Sequence, residues 1–215
     1  PTFDDKVSVL GNGNYDFTLG FRNAFSYKNL SMSVLVDMKF GADVYSMSKM
    51  QSHVNGTSKE TLEGREGWYA SEQARLSANV DAKDWTPTGG YVGKGVKAVT
   101  DADGNVSYVP NDVYVDPAKY WQALQNSSPE PFICDNSFVK LREVSLSYSC
   151  PKKWFVHTPI ESVTLSAYGR NLLLIYSKVD NIDPESSYNN GNGQGFEYGS
   201  LPSRRTFGFG INVKF

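Results

Sequence analysis

The chain ends in Thr206-Phe207-Gly208-Phe209-Gly210-Ile211-Asn212-Val213-Lys214-Phe215, ten residues that alternate between apolar and small or polar side chains without a break. A period of two is typical of a β-strand, with its apolar residues on one face. A soluble protein rarely ends on such a strand, because termini fray and free strand edges aggregate. A strand of a transmembrane β-barrel can end this way, since its apolar face contacts lipid.

The same alternation predicts a hairpin near the start of the chain, with strands at about 15–27 and 30–40 and a turn at Lys28-Asn29. Each strand exceeds ten residues, which suits a tilted membrane crossing of about 9–11 residues. Arg22, Asp37 and Lys39 alternate with the apolar residues, so we expect them to face the barrel lumen. There they either pair across the wall or contact a plug or substrate.

Two further strands are predicted at about 137–149, with a bulge near Leu141, and at about 161–171. Long irregular segments fill about 41–136 and 174–203, and both are too long for a compact domain unless they are functional. Within the first we expect a short helix at 72–80, a hairpin turn at 101–105 and a helix from Asp116-Pro117 to Gln125. The five strands therefore alternate short links with long loops, as barrels alternate periplasmic turns with extracellular loops.

Composition sets further limits. The chain has 215 residues and a formal net charge of −2, so no long-range field favours nucleic acid. No run approaches the roughly 20 apolar residues that a transmembrane helix needs. The start, Pro1-Thr2-Phe3-Asp4, has neither the basic nor the apolar region of a signal peptide, which suggests a processed or partial chain.

Five stretches carry a family resemblance, and they follow one another in the expected order. They are Gly11–Asn23, Phe138–Tyr148 with its Lys-Leu-Arg-Glu run, Gly169–Leu172, Asp183-Pro184-Glu185, and Pro202 with Arg205–Gly210. The chain resembles the C-terminal part of the SusC/RagA-like TonB-dependent outer-membrane transporters of Bacteroidota. Tyr15 stands where the family usually has Pro.

The resemblance implies an all-β fold, the C-terminal five antiparallel strands of a transmembrane β-barrel of about 22 strands. Residues 1–215 would then complete a barrel whose other strands and plug lie on another chain, and TonB would act through that absent N-terminal part. The implied function is import of glycans or peptides across the bacterial outer membrane, together with a SusD-like lipoprotein. A soluble, lectin-like all-β module that binds glycans is the alternative.

The chemistry-bearing residues predict no enzyme, cofactor or metal site. His53 and His157 are far apart, without positioned carboxylate or thiol partners for acid–base catalysis. Asp101–Asn105 faintly resembles a calcium loop but lacks the distal glutamate, so a hairpin turn is the better interpretation.

Two sets of residues are candidates for function. An alternating last strand that ends in Phe is the signal read by the barrel-assembly machinery in outer-membrane proteins generally, and Phe207, Phe209, Ile211, Val213 and Phe215 fit it. The first long loop holds aromatic residues that either stack on ligands, contact the lipoprotein partner or pack within the loop itself. Those singled out are Trp68, Tyr69, Trp85, Tyr91 and Trp121.

Overall fold

The computed structural model of the chain describes residues 7–186, 189 and 191–215. The start at Pro1–Asp4 therefore lies outside the described residues, as do three residues of the loop predicted at 174–203. Among the described residues, the structure has no helix that is both long enough and apolar enough to cross a membrane.

The strands and helices are named in chain order. The strands are β1 (Phe17–Tyr27), β2 (Leu30–Phe40), β3 (Asp43–Ser46), β4 (Tyr91–Val92), β5 (Val96–Thr100), β6 (Val106–Pro110), β7 (Tyr114–Val115), β8 (Ile133–Asp135), β9 (Phe138–Ser149), β10 (Ser162–Ser177), β11 (Phe196–Glu197) and β12 (Thr206–Lys214). The α-helices are α1 (Met47–Val54), α2 (Arg65–Ser77) and α3 (Pro117–Ser127). Short 3₁₀ turns lie at Lys59–Leu62, Ala82–Asp84, Glu130–Phe132 and Lys152–Trp154.

These elements form two compact units. Among the described residues, the sheet unit comprises Leu10–Ser46 and the part of the chain from Ile133 to Phe215, and the helical unit comprises Val7–Val9 and Met47–Phe132.

The sheet unit is dominated by a five-stranded antiparallel sheet in the order β1-β2-β9-β10-β12. The β1–β2 hairpin keeps one register from Phe17↔Phe40 to Tyr27↔Leu30, so the apolar residues of both strands share a face. Lys28 in the turn has φ 53°, the left-handed conformation that a tight hairpin turn requires.

A bulge interrupts β9, close to the position that the sequence predicted. β2 pairs Leu35 with Glu143 and Val36 with Leu141, which leaves Arg142 as the extra residue. A bulge re-aims a side chain and bends the strand. Arg142 thereby points to the same side as Lys140, and this side is the polar face of the sheet.

The strand predicted at 161–171 is too short: β10 continues to Ser177, and the following loop begins at 178 rather than 174. The run Leu172–Ile175 is continuously apolar, so it hides the period of two from which strands are recognised. Two register shifts between β10 and β9 absorb the additional residues.

The terminal strand pairs with β10 from Thr206↔Arg170 to Lys214↔Ser162. Phe209 lies opposite Ala167 and Ile211 opposite Leu165, so the apolar alternation of the terminal sequence continues across the pair. On the other side, the ring of Tyr168 fills the space above Gly208, where an added Cβ would lie 2.4 Å from Tyr168 Cζ.

A smaller three-stranded sheet has the order β11-β3-β8, in which β3 follows β2 along the chain and β8 precedes β9. Its core holds Val44, and the neighbouring Phe138 at the start of β9 is fully buried. Tyr15 packs edge-on against Phe138 at 6.3 Å between ring centroids.

The helical unit corrects the expectation of a largely irregular segment at 41–136. It has three helices around a small core of Met50, Trp121, Leu124 and Phe132. Helix α3 begins as predicted, with the Asp116 carboxylate accepting a bond from Ala118 N at 2.9 Å and Pro117 in the first turn. Helix α2 begins seven residues before the helix predicted at 72–80. The residue before α2 is Gly64 in a left-handed conformation, so no polar capping side chain marks the start of the helix in the sequence.

Candidate functional site

The two faces of the five-stranded sheet differ sharply. The apolar face carries the terminal-strand residues, of which Phe209 is 86% and Ile211 73% exposed. Large apolar side chains of β1, β9 and β10 are also exposed on this unit: Phe17, Leu19, Phe21, Phe25, Leu146 and Leu165. An apolar patch of this extent marks a surface that contacts a partner or a membrane.

The polar face carries an ionic cluster centred on Lys140, which is 4% exposed. Lys140 Nζ lies 2.7 Å from Glu185 Oε2 and 3.2 Å from Asp183 Oδ1, and it donates to Ser203 Oγ at 2.8 Å. All three N–H donors of the ammonium group therefore have acceptors. A buried charge persists only when it is paired and hydrogen-bonded in this way.

Arg142 joins the same cluster from the bulge in β9. Its guanidinium forms a two-pronged pair with Glu185, Nη1 to Oε2 at 2.7 Å and Nη2 to Oε1 at 2.6 Å. It also donates to Asp37 Oδ2 at 2.5 Å and to Asn171 Oδ1 at 2.8 Å. This fork geometry is the one that a planar guanidinium and a carboxylate prefer. Two cations thus meet three carboxylates, which leaves one net negative charge.

The loop after β10 is held by this cluster through Asp183-Pro184-Glu185. Asp183 accepts from Glu185 N at 3.1 Å and from Ser203 N at 2.7 Å, and it also bonds the Ser203 hydroxyl. The carbonyl of the buried Pro184 accepts from Asn136 Nδ2 at 2.8 Å. Residues near both ends of the loop are therefore held at the same place on the five-stranded sheet.

The carboxylates of this loop are held in their charged form. Burial alone would raise the pKa of Glu185, but hydrogen bonds from Arg142 and Lys140 outweigh burial and lower that pKa below its usual range. Burial alone would also raise the pKa of Asp183. Hydrogen bonds from Ser203 and from Glu185 N outweigh burial, so the pKa of Asp183 is lowered as well. Both groups remain ionised at neutral pH.

These lowered pKa values predict acid-dependent release of the loop. A carboxylate with a depressed pKa stabilises the folded loop above its ordinary pKa of about 4, and the contribution is lost as pH falls through the folded value. The protection factor for hydrogen exchange at Ser203 N should stay high from neutral pH to about pH 5 and fall below about pH 4. The Glu185→Gln variant should show a shallower acid dependence, and an unchanged slope would contradict this assignment.

Of the charged residues that the sequence placed on the polar face, Asp37 joins the cluster. Lys39 lies instead over the rings of Tyr15 and Phe138, at 5.4 and 5.8 Å from their centroids. Arg22 is exposed and takes no part in the cluster. The sequence could have suggested the cluster only through the complementary charges of two motifs, Lys140-Leu141-Arg142 and Asp183-Pro184-Glu185.

The loop aromatics divide into packed and accessible residues. Trp121 is 7% exposed, with His53 at 4.5 Å and Tyr91 at 5.7 Å between ring centroids, so Trp121 and Tyr91 belong to the core of the helical unit. Trp85 donates its indole N–H to Ser71 Oγ at 3.1 Å. Tyr69 is 67% exposed and Trp68 is half-buried.

A cavity of about 460 Å³ lies in the sheet unit, and cavities of about 640 and 750 Å³ lie in the helical unit. The 640 Å³ cavity is lined by Trp68, Tyr69 and Trp121, with the polar side chains of Arg65, Glu72 and Gln122. Trp121 Nε1 is buried and has no hydrogen-bond partner among the described residues. Flat aromatic faces beside planar polar groups can hold a ring-shaped ligand that carries hydroxyl groups.

No group of three or more His, Cys, Asp or Glu side chains suited to a metal occurs in the described part of the chain. His53 is held by Lys49 O at 2.8 Å and by Glu60 Oε2 at 2.7 Å, which makes it part of the packing of the helical unit.

Two curated proteins match this chain along nearly its whole length, and both are TonB-dependent receptors. TonB-dependent receptor P3 of Formosa agariphila is 27% identical over 220 residues, which cover 100% of this chain. TonB-dependent receptor P26 of the same bacterium is 30% identical over 217 residues, or 99% of this chain. The chain is related to the TonB-dependent receptors.

The chain spans about 18% of the length of each of these TonB-dependent receptors. No family model matches it. Among solved structures, the RagAB peptide importer in its "closed-closed" state aligns with 96% of this chain and 18% of its own, at TM-score 0.58 and 18% identity. The "open-open" state aligns with 92% of this chain and 17% of its own, at TM-score 0.55 and 18% identity. The chain therefore shares the fold of a segment of that importer.

Proposed function

We propose that the chain forms one section of the wall, with two surface loops, of a TonB-dependent importer in the bacterial outer membrane. The observation that carries the proposal is the division of the five-stranded sheet. One face is apolar and exposed, as lipid contact requires, and the other carries an ionic cluster of two cations and three carboxylates. A soluble lectin-like module would need to bury the apolar face in a core.

The sheet also supports the proposed partners within the transporter. Strands β1 and β12 are its two edges, and each pairs with one strand of the described sheet. In the proposal these edges pair with the remaining strands of a barrel of about 22 strands, which removes both free edges. The plug and the segment that meets TonB belong to the rest of the transporter, and a SusD-like lipoprotein covers the surface loops. No catalytic step is proposed for this chain.

The 640 Å³ cavity in the helical unit supports a proposal for the substrate class. Its aromatic faces and planar polar side chains suit sugar rings. One mode of peptide recognition adds an extended strand to a sheet edge, whereas this cavity is lined mainly by residues of α1, α2 and α3. We therefore place glycans ahead of peptides as the imported substrate.

Tyr69→Ala should weaken glycan binding to the complete transporter with its lipoprotein by about fivefold, since one exposed stacking surface is removed. Calorimetric titration with glycan oligomers and with a peptide mixture measures the effect. Leu76→Ala, an exposed change on the same helix, is the matched control. Binding of peptides alone would overturn the glycan assignment, and equal behaviour of both variants would overturn the assignment of the cavity.

Phe215→Asp should reduce the amount of assembled transporter in the outer membrane severalfold, because the last residue of the terminal strand is proposed as part of the assembly signal. Heat-modifiable mobility of the outer-membrane fraction reports assembled barrel. Phe215→Leu keeps an apolar end and should assemble more than Phe215→Asp. Normal levels of the Asp variant would count against an assembly role for Phe215.

A further inference from the structure

We propose that the link between β9 and β10, together with the β1–β2 turn, binds the phosphate headgroups of anionic phospholipids at the periplasmic rim of the barrel. This inference rests on the membrane placement of the sheet in the proposed function. It concerns residues that neither the terminal strand nor the loop cavity uses. They are Lys28, Lys152, Lys153 and Trp154.

The fold brings the two connections to the same end of the sheet. Ser149 N donates to Asn29 O at 2.8 Å, and Asn29 Nδ2 donates to Ser149 O at 2.6 Å. Lys28 precedes Asn29 in the turn, while Lys152 and Lys153 follow Ser149 by three and four residues. The pairing Ser162↔Lys214 places the terminal strand's last residues at this end as well.

Three lysines at this end have no paired carboxylate among the described residues, whereas a fourth, Lys214, has its Nζ 3.0 Å from Glu161 Oε2. Lys28, Lys152 and Lys153 are exposed, and none has a carboxylate within 4.0 Å among the described residues. The lysines of β9 and of the loop after β10 differ, because Lys140 and Lys178 are each paired with carboxylates there. Unpaired positive charge beside a membrane attracts anionic headgroups.

Trp154 is 60% exposed, and hydrogen bonds hold its backbone. The backbone N–H of Trp154 donates to Pro151 O at 3.0 Å, and the backbone N–H of Phe155 donates to Lys152 O at 3.0 Å. The resulting 3₁₀ turn holds the indole ring at the surface. Tryptophan prefers the headgroup level of a bilayer, where its ring is half apolar and its N–H stays hydrated. Lysines extend from the same level to the phosphate groups.

The apolar face of the sheet reaches this end without interruption. Leu30, Leu165 and Phe215 are exposed large apolar residues at or near the ends of their strands. The unpaired lysines therefore stand where the acyl-contacting surface stops, which is the height of the phosphate layer. This continuity favours a lipid headgroup over a free periplasmic anion.

The depth of Trp154 can be measured in the complete transporter, reconstituted in nanodiscs. The fluorescence difference between wild type and Trp154→Phe isolates this indole. It should be quenched more strongly by a nitroxide on the lipid headgroup than by one at the end of the acyl chain. Equal or absent quenching by both labels would overturn the assignment.

The lysines are tested by charge reversal in nanodiscs of phosphatidylcholine with a minor share of phosphatidylglycerol. Wild type should retain phosphatidylglycerol at about fivefold above its share after mild detergent washing. K152E/K153E should lose this enrichment, whereas K59E/K83E, with the same charge change at exposed loop lysines, should keep it. Equal enrichment in all three proteins would overturn the headgroup site. A wild-type transporter that fails to enter lipid at all would overturn the proposed function instead.

Discussion

Lys140→Met should destabilise the folded protein by about 3–5 kcal/mol, because it leaves the part-buried Asp183 without its cation and Glu185 with Arg142 alone. Methionine preserves most of the length and volume of the side chain, so the lost charge dominates the effect. The loop after β10 should become susceptible to protease, and the urea midpoint of the detergent-solubilised transporter should fall.

Lys178→Met is the matched control for this change. Lys178 also pairs with a carboxylate, Asp135 at 2.6 Å, but its side chain is 52% exposed. An exposed pair contributes about 0–1 kcal/mol, so this variant should stay close to wild type. Equal losses from the two substitutions would show that the burial of the cluster does not govern its contribution.

Ile211→Arg should disfavour membrane insertion of the sheet by about 2–4 kcal/mol, because it places a charge on the face of the terminal strand that we propose contacts lipid. Ile211 lies opposite Leu165 on the apolar face, well inside the pair of strands. The expected result is a severalfold loss of assembled transporter from the outer-membrane fraction, measured by quantitative immunoblotting of heated and unheated samples.

The neighbouring Asn212→Arg introduces the same side chain on the polar face of the same strand. Asn212 lies opposite Thr164 and is exposed, so the new arginine meets no apolar surface. Assembly of this variant should remain near the wild-type level. If Asn212→Arg were as harmful as Ile211→Arg, the assignment of the apolar face to lipid would be wrong.

The long strands could be predicted from the sequence because apolar and polar residue types alternate along them with a period of two. The hairpin of β1 and β2 has the predicted turn and nearly the predicted bounds, since apolar and polar residues alternate through both strands. The predicted end of β10 was wrong because Leu172–Ile175 carries no alternation and because its pairing depends on register shifts against β9. Local pattern identifies a strand but does not specify how its neighbours absorb irregular residues.

The helical unit was less predictable because tertiary packing rather than local signals defines it. Helix α3 was found through its Asp116-Pro117 start, whereas the start of α2 follows a glycine and carries no side-chain cap. The burial of Trp121 beside His53 and Tyr91 could not be predicted, because the local sequence around an aromatic residue outside a regular strand does not show whether its side chain is packed or exposed.

The ionic cluster lay beyond sequence reasoning for a different reason. Lys140 and Glu185 are 45 residues apart, and Arg142 reaches Asp37 across 105 residues. Single-sequence periodicity places each residue on a face but carries no information about which charge meets which. The bulge at Arg142 adds a local exception that only the pairing of β2 with β9 defines.

Anchoring the loop at Asp183–Glu185 and at Ser203 has a consequence for how such proteins diversify. The segment between those two attachment points contains β11, which pairs with β3, so the residues on either side of β11 can be exchanged while this pairing is kept. A chimera that keeps Asp183, Pro184, Glu185 and Ser203, together with Phe196 and Glu197 of β11, should accept the other intervening residues of a relative. New ligand preferences then arise by replacing the exchanged residues while the five-stranded sheet is inherited unchanged.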